Sequence, residues 1–289
     1  MNWISGVVGK GSAFYDLVRF PHTVFALPFA FLGATLAAGG WPGFRETFWI
    51  LVAMVGARSA AMTFNRIVDL RFDRRNPRTA SRPLPRGAIT VSTAIGFLIG
   101  SCLLFFLAAA MLNRLTLYLA SPALGVLLLY SYSKRFTTWT HLLLGFALAG
   151  APIGGWIAVR GTIGPVPILL GGAVMLWVAG FDIIYSCQDI QFDRQAGLHS
   201  LPCRWGVAKA LRFAAALHTG MLAMLLALIP LAGLGGFWLG GVVLTAGLLA
   251  YEYLLVWPDD LSRVQRAFFT VNAWISFLLL TSVLIDLRF

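Results

Sequence analysis

Long runs of residues without any Asp, Glu, Lys or Arg are the feature that most restricts how this chain can fold. They lie at 24–44, 91–113, 141–159, 161–181, 213–251 and 267–285, and two further apolar spans lie at 47–65 and 115–133. A transmembrane helix needs about 20 apolar residues, so the longest run has room for two helices. The sequence therefore predicts an all-α membrane protein with nine transmembrane helices in a single polytopic domain, residues 1–289.

The composition indicates lipid rather than water as the surrounding solvent. Hydrophobic residues make up 59% of the chain and charged residues only 11%. A soluble core cannot bury so much apolar surface, whereas a bilayer accepts apolar side chains all around a helix. Cys102, Cys187 and Cys203 are too few and too scattered for a disulfide framework or a CxxC metal site.

The basic residues predict the orientation of the chain in the membrane. With nine spans, the N-terminus and the segments after spans two, four, six and eight share one side, which carries 17 of the 22 Lys and Arg residues. The positive-inside rule makes this side cytoplasmic, and we expect a bacterial cytoplasmic (inner) membrane. This topology and contact with anionic membrane lipid account for the net charge of +11, so we infer no nucleic-acid partner.

Three segments on the cytoplasmic side have separate expectations. Residues 1–20 resemble an amphipathic helix lying in the membrane interface rather than a signal peptide. Residues 66–90 and 187–208 are predicted to be cytoplasmic loops, and each carries one copy of an aspartate motif.

The two aspartate motifs are similar segments that lie 120 residues apart. NRIVDLRFDR at 65–74 and YSCQDIQFDR at 185–194 match at four pairs of positions, Asp69/Asp189, Phe72/Phe192, Asp73/Asp193 and Arg74/Arg194. The first motif follows span two and the second follows span six, and an even number of intervening helices preserves direction. We therefore predict a parallel four-helix repeat with both motifs at the cytoplasmic surface.

The spacing of each motif indicates a polar helix face. Side chains at i, i+4 and i+8 share one face, which predicts one stripe of Asn65, Asp69 and Asp73. A second stripe contains Tyr185, Asp189 and Asp193, with Asp182 one turn deeper. Carboxylates that converge in this way repel one another unless a cation lies between them, and Mg²⁺ prefers carboxylate oxygens together with a phosphate.

Arginines surround both motifs and suit a multiply charged anion, because guanidinium groups match phosphate oxygens. They are Arg66, Arg71, Arg74, Arg75, Arg78, Arg82 and Arg194. For one motif alone, a solvated helix end is an equally good interpretation. Two copies in register favour a diphosphate held through metal.

Arg58 lies seven residues before Asn65, on the same face and deep in the second span. A guanidinium at that depth is costly unless it faces a polar cavity or a carboxylate. The sequence leaves two interpretations open, a contact with substrate or a structural pair with a buried acid such as Glu252.

Together these segments resemble the UbiA-type intramembrane aromatic prenyltransferases. The resemblance rests on RSAAMTFNRIVDLRFD, NPRTASRPLPRG and DIIYSCQDIQFDRQAGLHSLPCRWG, while VRFPHTVFALPFAFLGA and YSKRFT are most similar to the branch in ubiquinone and menaquinone synthesis. It implies nine helices around a central cavity. It also implies Mg²⁺-dependent transfer of a polyprenyl group from polyprenyl diphosphate to an aromatic hydroxy acid, 4-hydroxybenzoate or a dihydroxynaphthoate. The reaction passes through an allylic cation and releases diphosphate.

The resemblance also implies roles for individual residues. Asp69, Asp73, Asp189 and Asp193 match the catalytic metal ligands. The resemblance places Asn65, Arg78, Arg82 and Tyr185 near the diphosphate, and the arginines around the motifs add Arg194 to the diphosphate-binding candidates. The depth of Arg58 in the second span makes it an acceptor-binding candidate, and Arg19 is the other one. One position departs from the family pattern, because His199 stands where many members have lysine. Lys209, Arg204 or a protonated His199 are the candidates to replace that charge.

Two other classes of protein compete with this interpretation. A cation-coupled transporter also places Asp and Arg within the membrane, but its sites tend to lie at mid-membrane on broken helices. A phospholipid-headgroup transferase also combines aspartates with Mg²⁺, but the DGxxAR pattern expected for it is absent. The clustering of acids and arginines at one cytoplasmic mouth favours phosphate chemistry.

Overall fold

The computed structural model describes residues 16–17, 23–266 and 271–289. The predicted interfacial helix at 1–20 therefore lies outside the described residues except for 16–17. Arg19, predicted to contact the acceptor, also lies outside them.

The described residues contain nine longer α-helices and four short ones, which turns and loops connect. The longer ones are α1 (Thr23–Ala38), α2 (Phe44–Val68), α4 (Val91–Leu112), α5 (Arg114–Ser133), α6 (Thr140–Arg160), α7 (Pro165–Ser186), α10 (Val207–Ala232), α11 (Gly236–Leu255) and α13 (Asn272–Asp286). The short ones are α3 (Leu70–Asp73), α8 (Ile190–Gln195), α9 (Leu201–Trp205) and α12 (Val264–Arg266). The same residues contain no β-strand, only an isolated β-bridge between Trp257 and Asp260.

Seven helices in the described part of the chain are long and apolar enough to cross a membrane. The other two longer helices, α1 and α13, are apolar but shorter, and they occupy the positions of the first and ninth predicted spans. The all-helical membrane fold is thus observed, while the count of nine spans stays a prediction.

The helices close into a bundle in which chain neighbours mostly pack side by side. Helix α6 contacts α7, α1 and α5, while α10 lies between α7 and α11. Helix α13 closes the bundle because it packs against both α11 and α1. Apolar side chains on the outer face are exposed, such as Leu103 at 65% and Leu254 at 67%. This outer face suits lipid, which has no need of polar partners.

Backbones approach closely where glycines face a neighbouring helix. A Cβ at Gly33 of α1 would lie 2.0 Å from the carbonyl oxygen of Pro152 on α6, and one at Gly155 would lie 2.0 Å from that of Ala30. Only glycine fits at either position, so α1 and α6 lie in direct backbone contact. Small residues at such positions allow helices to pack closely in a membrane.

Both aspartate motifs interrupt a long helix in the same way. Helix α2 ends just before Asp69, where φ is −89° and ψ is 5°, and α3 starts at the next residue. Helix α7 passes through a 3₁₀ turn to Asp189, with φ −98° and ψ 2°, and α8 follows. The two ends of the predicted repeat thus share one backbone conformation, whereas the four-helix repeat as a whole stays a prediction.

The segments predicted as loops contain these helical turns. The 66–90 segment remains helical through α3, and the 187–208 segment includes α8, α9 and the start of α10. The backbone N–H of Asp69 still donates to the Asn65 carbonyl at 2.9 Å, and that of Asp73 donates to the Asp69 carbonyl at 2.8 Å. The four-residue spacing therefore survives the break, and the stripe stays on one side.

Candidate active site

The two motifs meet at a polar cavity of about 190 Å³ between the ends of α2, α5 and α7. Its charged lining residues are Asp69, Asp73, Asp182, Asp189, Asp193, Arg66, Arg78, Arg82, Lys134 and Arg135. Asn65 and Tyr185 line the same cavity. All four predicted metal-binding carboxylates are therefore brought together, although they are far apart in sequence.

Arg78 joins the loop after the first motif to the second motif. Its guanidinium donates to both carboxylate oxygens of Asp189, at 3.0 and 2.7 Å, and its Nη1 donates to the Tyr185 hydroxyl at 2.8 Å. The guanidinium also lies over the Tyr185 ring, 5.4 Å from its centroid. A forked pair of this kind fixes orientation as well as distance.

The carboxylates of the first motif are also paired with arginines. Arg82 Nη1 donates to both oxygens of Asp73, at 2.7 and 2.8 Å. Arg135 Nη2 donates to Asp69 at 3.1 Å and to the Val68 carbonyl at 2.8 Å. The same Asp69 carboxylate accepts a hydrogen bond from the Asn65 amide at 3.0 Å.

Lys134 supplies the cation beside the second motif. Its Nζ donates to Asp193 Oδ2 at 3.0 Å, and its carbonyl accepts the backbone N–H of His199 at 2.7 Å. His199 itself is exposed, and so are Arg204 and Lys209, which do not line the cavity. The positive charge next to Asp193 therefore comes from Lys134, whereas His199, Arg204 and Lys209 do not line the cavity.

Burial and neighbouring charges shift the pKa of two of these groups, Asp69 and Lys134. Burial raises the pKa of the Asp69 carboxyl above its ordinary value, although the hydrogen bond from Arg135 opposes that shift. Burial alone lowers the pKa of Lys134, but the negative charge of Asp193 and of two further cavity carboxylates outweighs it and raises the pKa. The lysine therefore remains a cation at neutral pH.

The donor set fits a hard divalent cation by its chemistry, since the four motif carboxylates face one cavity together with the Asn65 amide and the Tyr185 phenol. In the described residues, however, no three acidic, His or Cys side chains already form a metal cluster. Each motif carboxylate is instead paired with an arginine or lysine. A metal ion at this site must exchange places with some of these side-chain cations.

A second, apolar chamber of about 230 Å³ lies deeper in the bundle, between α1, α2, α4, α5 and α6. Arg58 is its one charged lining residue among the described residues, and the other lining side chains are mostly alanine, leucine and isoleucine. Glu252, proposed from the sequence as a structural partner of Arg58, accepts a hydrogen bond from Asn272 at 3.4 Å instead. That structural pair is therefore not observed.

Arg194 lies outside the polar cavity. It follows Asp193 directly on α8, and one residue rotates a helix by about 100°, so its side chain is exposed while Asp193 is buried. Arg194 is thus not among the residues that line the cavity, and its contact with diphosphate stays a prediction.

Comparison with known proteins identifies the family. The sequence profile of the UbiA prenyltransferase family matches residues 26–278. A 4-hydroxybenzoate octaprenyltransferase from Hydrogenovibrio crunogenus is 30% identical over 253 residues, which cover 87% of this chain and 87% of that protein. The chain belongs to the UbiA prenyltransferase family. It is an integral membrane prenyltransferase.

Solved structures agree with the UbiA fold. The apo structure of a UbiA homolog from Aeropyrum pernix K1 matches with a TM-score of 0.84 at 36% identity, covering 92% of this chain and 98% of that chain. A UbiA homolog from Archaeoglobus fulgidus bound to GPP and Mg²⁺ matches with a TM-score of 0.76 at 22% identity, covering 96% and 100%. The second match shows the fold alone.

Sequence reasoning about this UbiA protein missed Lys134, Arg135 and His141 as site residues. The first two lie in the YSKRFT segment, whose two consecutive cations reach one carboxylate of each motif. Nothing in the spacing of the aspartates points to this segment, although its adjacent basic residues at the end of an apolar span are a signal. His141 is buried and forms a hydrogen bond with Asp182 of the cavity at 2.7 Å.

Proposed function

We propose that this prenyltransferase transfers a polyprenyl group from polyprenyl diphosphate to 4-hydroxybenzoate, with a divalent cation, preferably Mg²⁺, and release of diphosphate. The site faces the cytoplasm from a bacterial inner membrane. The observation that carries the proposal is that a polar cavity and an apolar chamber lie one helical turn apart along α2, and that Arg58 is the one charged residue in the described lining of the chamber.

The polar cavity suits the diphosphate. Asp69, Asp73, Asp189 and Asp193 would hold the metal ion, which neutralises charge on the leaving group when it is bound. The side-chain cations that now pair with these carboxylates then turn to the phosphate oxygens. Negative charge grows on the leaving diphosphate as the C1–O bond breaks, and fixed guanidinium groups stabilise that charge without reorganisation.

The apolar chamber suits the allylic cation that forms when the C1–O bond breaks. An allylic cation reacts with any water that reaches it, so a lining of alanine, leucine and isoleucine protects it. The electron-rich ring of the acceptor then forms the new carbon–carbon bond. The chamber lies within one helical turn of the cavity along α2, where Ala61 lines the chamber and Asn65 lines the cavity.

Arg58 is the proposed contact for the acceptor carboxylate. It lies seven residues, roughly 10 Å along the helix axis, before Asn65. An aromatic acid whose ring lies next to C1 of the prenyl diphosphate would extend its carboxylate to this depth. The proposal of 4-hydroxybenzoate rather than a dihydroxynaphthoate follows the relative from Hydrogenovibrio crunogenus, which is named for that acceptor.

Incubation of the purified protein in lipid with polyprenyl diphosphates and each acceptor in turn tests the proposal. We expect metal-dependent formation of prenylated 4-hydroxybenzoate, detected by mass spectrometry, together with an equal amount of diphosphate. Product from a dihydroxynaphthoate alone would move the enzyme to the menaquinone branch. Membership of an enzyme family favours this chemistry over the transporter alternative, which predicts cation flux without diphosphate release.

A further inference from the structure

Asp182 differs from the other acidic residues of the polar cavity in its partner. Four of the five cavity carboxylates pair with an arginine or lysine. The fifth, Asp182, faces His141 instead, with its Oδ2 2.7 Å from the imidazole Nδ1. The His141 side chain is fully buried, while that of Asp182 is 16% exposed toward the cavity.

The hydrogen bond at Nε2 of His141 indicates which tautomer a neutral ring adopts. The backbone N–H of Leu201 donates to His141 Nε2 at 3.4 Å, so this nitrogen is the acceptor. In a neutral imidazole the other nitrogen then carries the proton, and Nδ1–H donates to Asp182. The hydrogen bond from His141 therefore holds the Asp182 carboxylate in one orientation.

The orientation of this pair is tied to the second aspartate motif. Leu201 starts α9, directly after Ser200, whose hydroxyl accepts the Cys203 N–H and caps that helix. One residue earlier, His199 donates its backbone N–H to the Lys134 carbonyl. The chain that carries the motif thus fixes both the lysine beside Asp193 and the histidine behind Asp182.

Asp182 also lies at the depth where the reacting ring must sit. It precedes Asp189 by seven residues, roughly 10 Å along the helix axis. Its neighbour in the cavity is Tyr130, and Leu127 of the same helix α5 lines the apolar chamber. Asp182 therefore faces the boundary between the diphosphate cavity and the chamber proposed for the aromatic ring.

We propose that Asp182 is the base that accepts the ring proton of the aromatic acceptor, and that His141 is its positioning residue. The proposal rests on the prenyl transfer proposed above. The C1–O electron pair leaves with diphosphate, and a ring electron pair forms the bond to C1. The C–H bond at that ring carbon then breaks, its electron pair restores aromaticity, and the proton goes to the Asp182 carboxylate.

The test compares turnover of ring-deuterated and ordinary 4-hydroxybenzoate by wild type and Asp182→Asn. The asparagine keeps the shape and still accepts the histidine hydrogen bond, but it is a poor base. We expect turnover to fall about 10²-fold or more. The slowing caused by ring deuteration should be larger in the variant than in the wild type, because proton removal becomes the slow step. Equal slowing in both would overturn the proposal.

Binding measurements separate this role from the diphosphate site. Titration with a non-reactive thio analogue of the prenyl diphosphate should give the same affinity in Asp182→Asn as in wild type, and loss of that affinity would also overturn the proposal. If Asp182→Asn has no turnover at all, added formate, a small carboxylate, should restore product formation in Asp182→Ala, and failure to do so counts against it.

Histidine variants test the positioning role. The amide of His141→Asn can take the place of Nδ1 and should preserve turnover better than His141→Ala. The matched control is His218→Asn, since His218 is a buried histidine that bonds Trp177 and Tyr253 away from the cavity. It should leave the deuterium effect unchanged. A wild-type protein that forms no prenylated 4-hydroxybenzoate would instead contradict the proposed function itself.

Discussion

The polar cavity and the apolar chamber have similar volumes, about 190 and 230 Å³, but opposite linings. The cavity has five carboxylates and five side-chain cations among its described lining residues, whereas the chamber has Arg58 alone. The two linings meet two requirements that a single pocket could not meet together. Charge on a diphosphate needs polar groups, and an allylic cation needs their absence together with the absence of water.

The boundary between the two regions is one helical turn wide. Along α2 the lining changes from Ala61 to Asn65, and along α5 it changes from Leu127 to Tyr130. Four residues of helix are only about 6 Å long, so the carbon–oxygen bond that breaks can lie in the boundary itself. Variants on either side of it should therefore affect different substrates.

The largest effect is expected from the carboxylates of the polar cavity. Asp189→Asn removes the negative charge that pairs with Arg78 and would bind the metal ion, while the side chain keeps its shape. We expect kcat to fall about 10²- to 10³-fold, the usual cost of removing one fixed electrostatic contact at a reacting centre. Calorimetry should show weaker metal binding in the same variant.

Asp259→Asn is the matched control, because Asp259 is exposed in a loop outside the cavity. It should retain wild-type turnover and metal affinity. Near-wild-type, metal-dependent turnover in Asp189→Asn and in any second motif variant would remove the metal-site interpretation and leave the motifs as solvated helix ends.

A smaller effect, on the other substrate, is expected from Arg58 in the chamber. A charge-assisted hydrogen bond to the acceptor carboxylate contributes about 2–3 kcal/mol, so Arg58→Ala should raise the KM for 4-hydroxybenzoate about 30- to 150-fold. Arg58→Lys keeps the charge but loses the forked geometry and should be intermediate. The KM for polyprenyl diphosphate should change much less.

An acceptor without a carboxylate provides the control for Arg58. With a phenol of that kind, wild type and Arg58→Ala should have nearly equal KM values, because the lost contact is absent from both. If Arg58→Ala unfolds in detergent under conditions where wild type is stable, the residue is structural and the acceptor assignment is wrong.

Arg82 should have a weaker effect that is confined to the polar cavity. Arg82 Nη1 contacts both oxygens of Asp73. Once a metal ion binds that carboxylate, the guanidinium can contact phosphate oxygens instead. Arg82→Ala should raise the KM for polyprenyl diphosphate about 10-fold, which corresponds to the lower end, about 1.5 kcal/mol, of the contribution of a hydrogen bond to a charged group. Metal affinity without diphosphate should not fall, because the arginine competes with the ion for Asp73.

Arg75→Ala serves as its control, because Arg75 is exposed and does not line the cavity. It should leave both KM values unchanged. A loss of metal affinity in Arg82→Ala equal to that in Asp73→Asn would mean that the arginine builds the metal site rather than occupying it.

The sequence predicted the helices from the length of its charge-free runs and the aspartate stripes from their four-residue spacing. The double run at 213–251 was expected to hold two helices, and the structure divides it at Gly233, where φ is 66°. Glycine at that position ends α10 in the left-handed conformation that other residues avoid. The motif carboxylates share the cavity, as their four-residue spacing indicated.

The partners of the aspartates could not be predicted in the same way. Arg78 pairs with Asp189 across 111 residues, and Lys134 pairs with Asp193 across 59. These pairs follow from how α2, α5 and α7 pack, and no spacing rule in the sequence encodes that packing. Arg194 shows the converse, because it is adjacent to Asp193 in sequence but does not line the cavity.

The smallest expected effect comes from one methyl group added to the chamber wall. Gly154 and Gly155 are adjacent on α6 and both line the chamber. A Cβ at Gly154 meets no atom within 4 Å, so Gly154→Ala adds volume to free space and removes a flexible residue from a helix. We expect a gain in stability of about 0.5–1 kcal/mol and little change in the KM for the acceptor.

Gly155→Ala separates the size of the chamber from the packing that forms it. Its Cβ would lie 2.0 Å from the carbonyl oxygen of Ala30, so α1 must move away from α6 to admit it. Overpacking of this kind costs about 1–3 kcal/mol and should lower the melting temperature in detergent. Because Ala30 also lines the chamber, the KM for 4-hydroxybenzoate should rise while metal binding in the polar cavity stays as in wild type. Equal losses of affinity for 4-hydroxybenzoate and for the metal ion would mean that the cavity and the chamber respond to this substitution as one unit, although their linings differ.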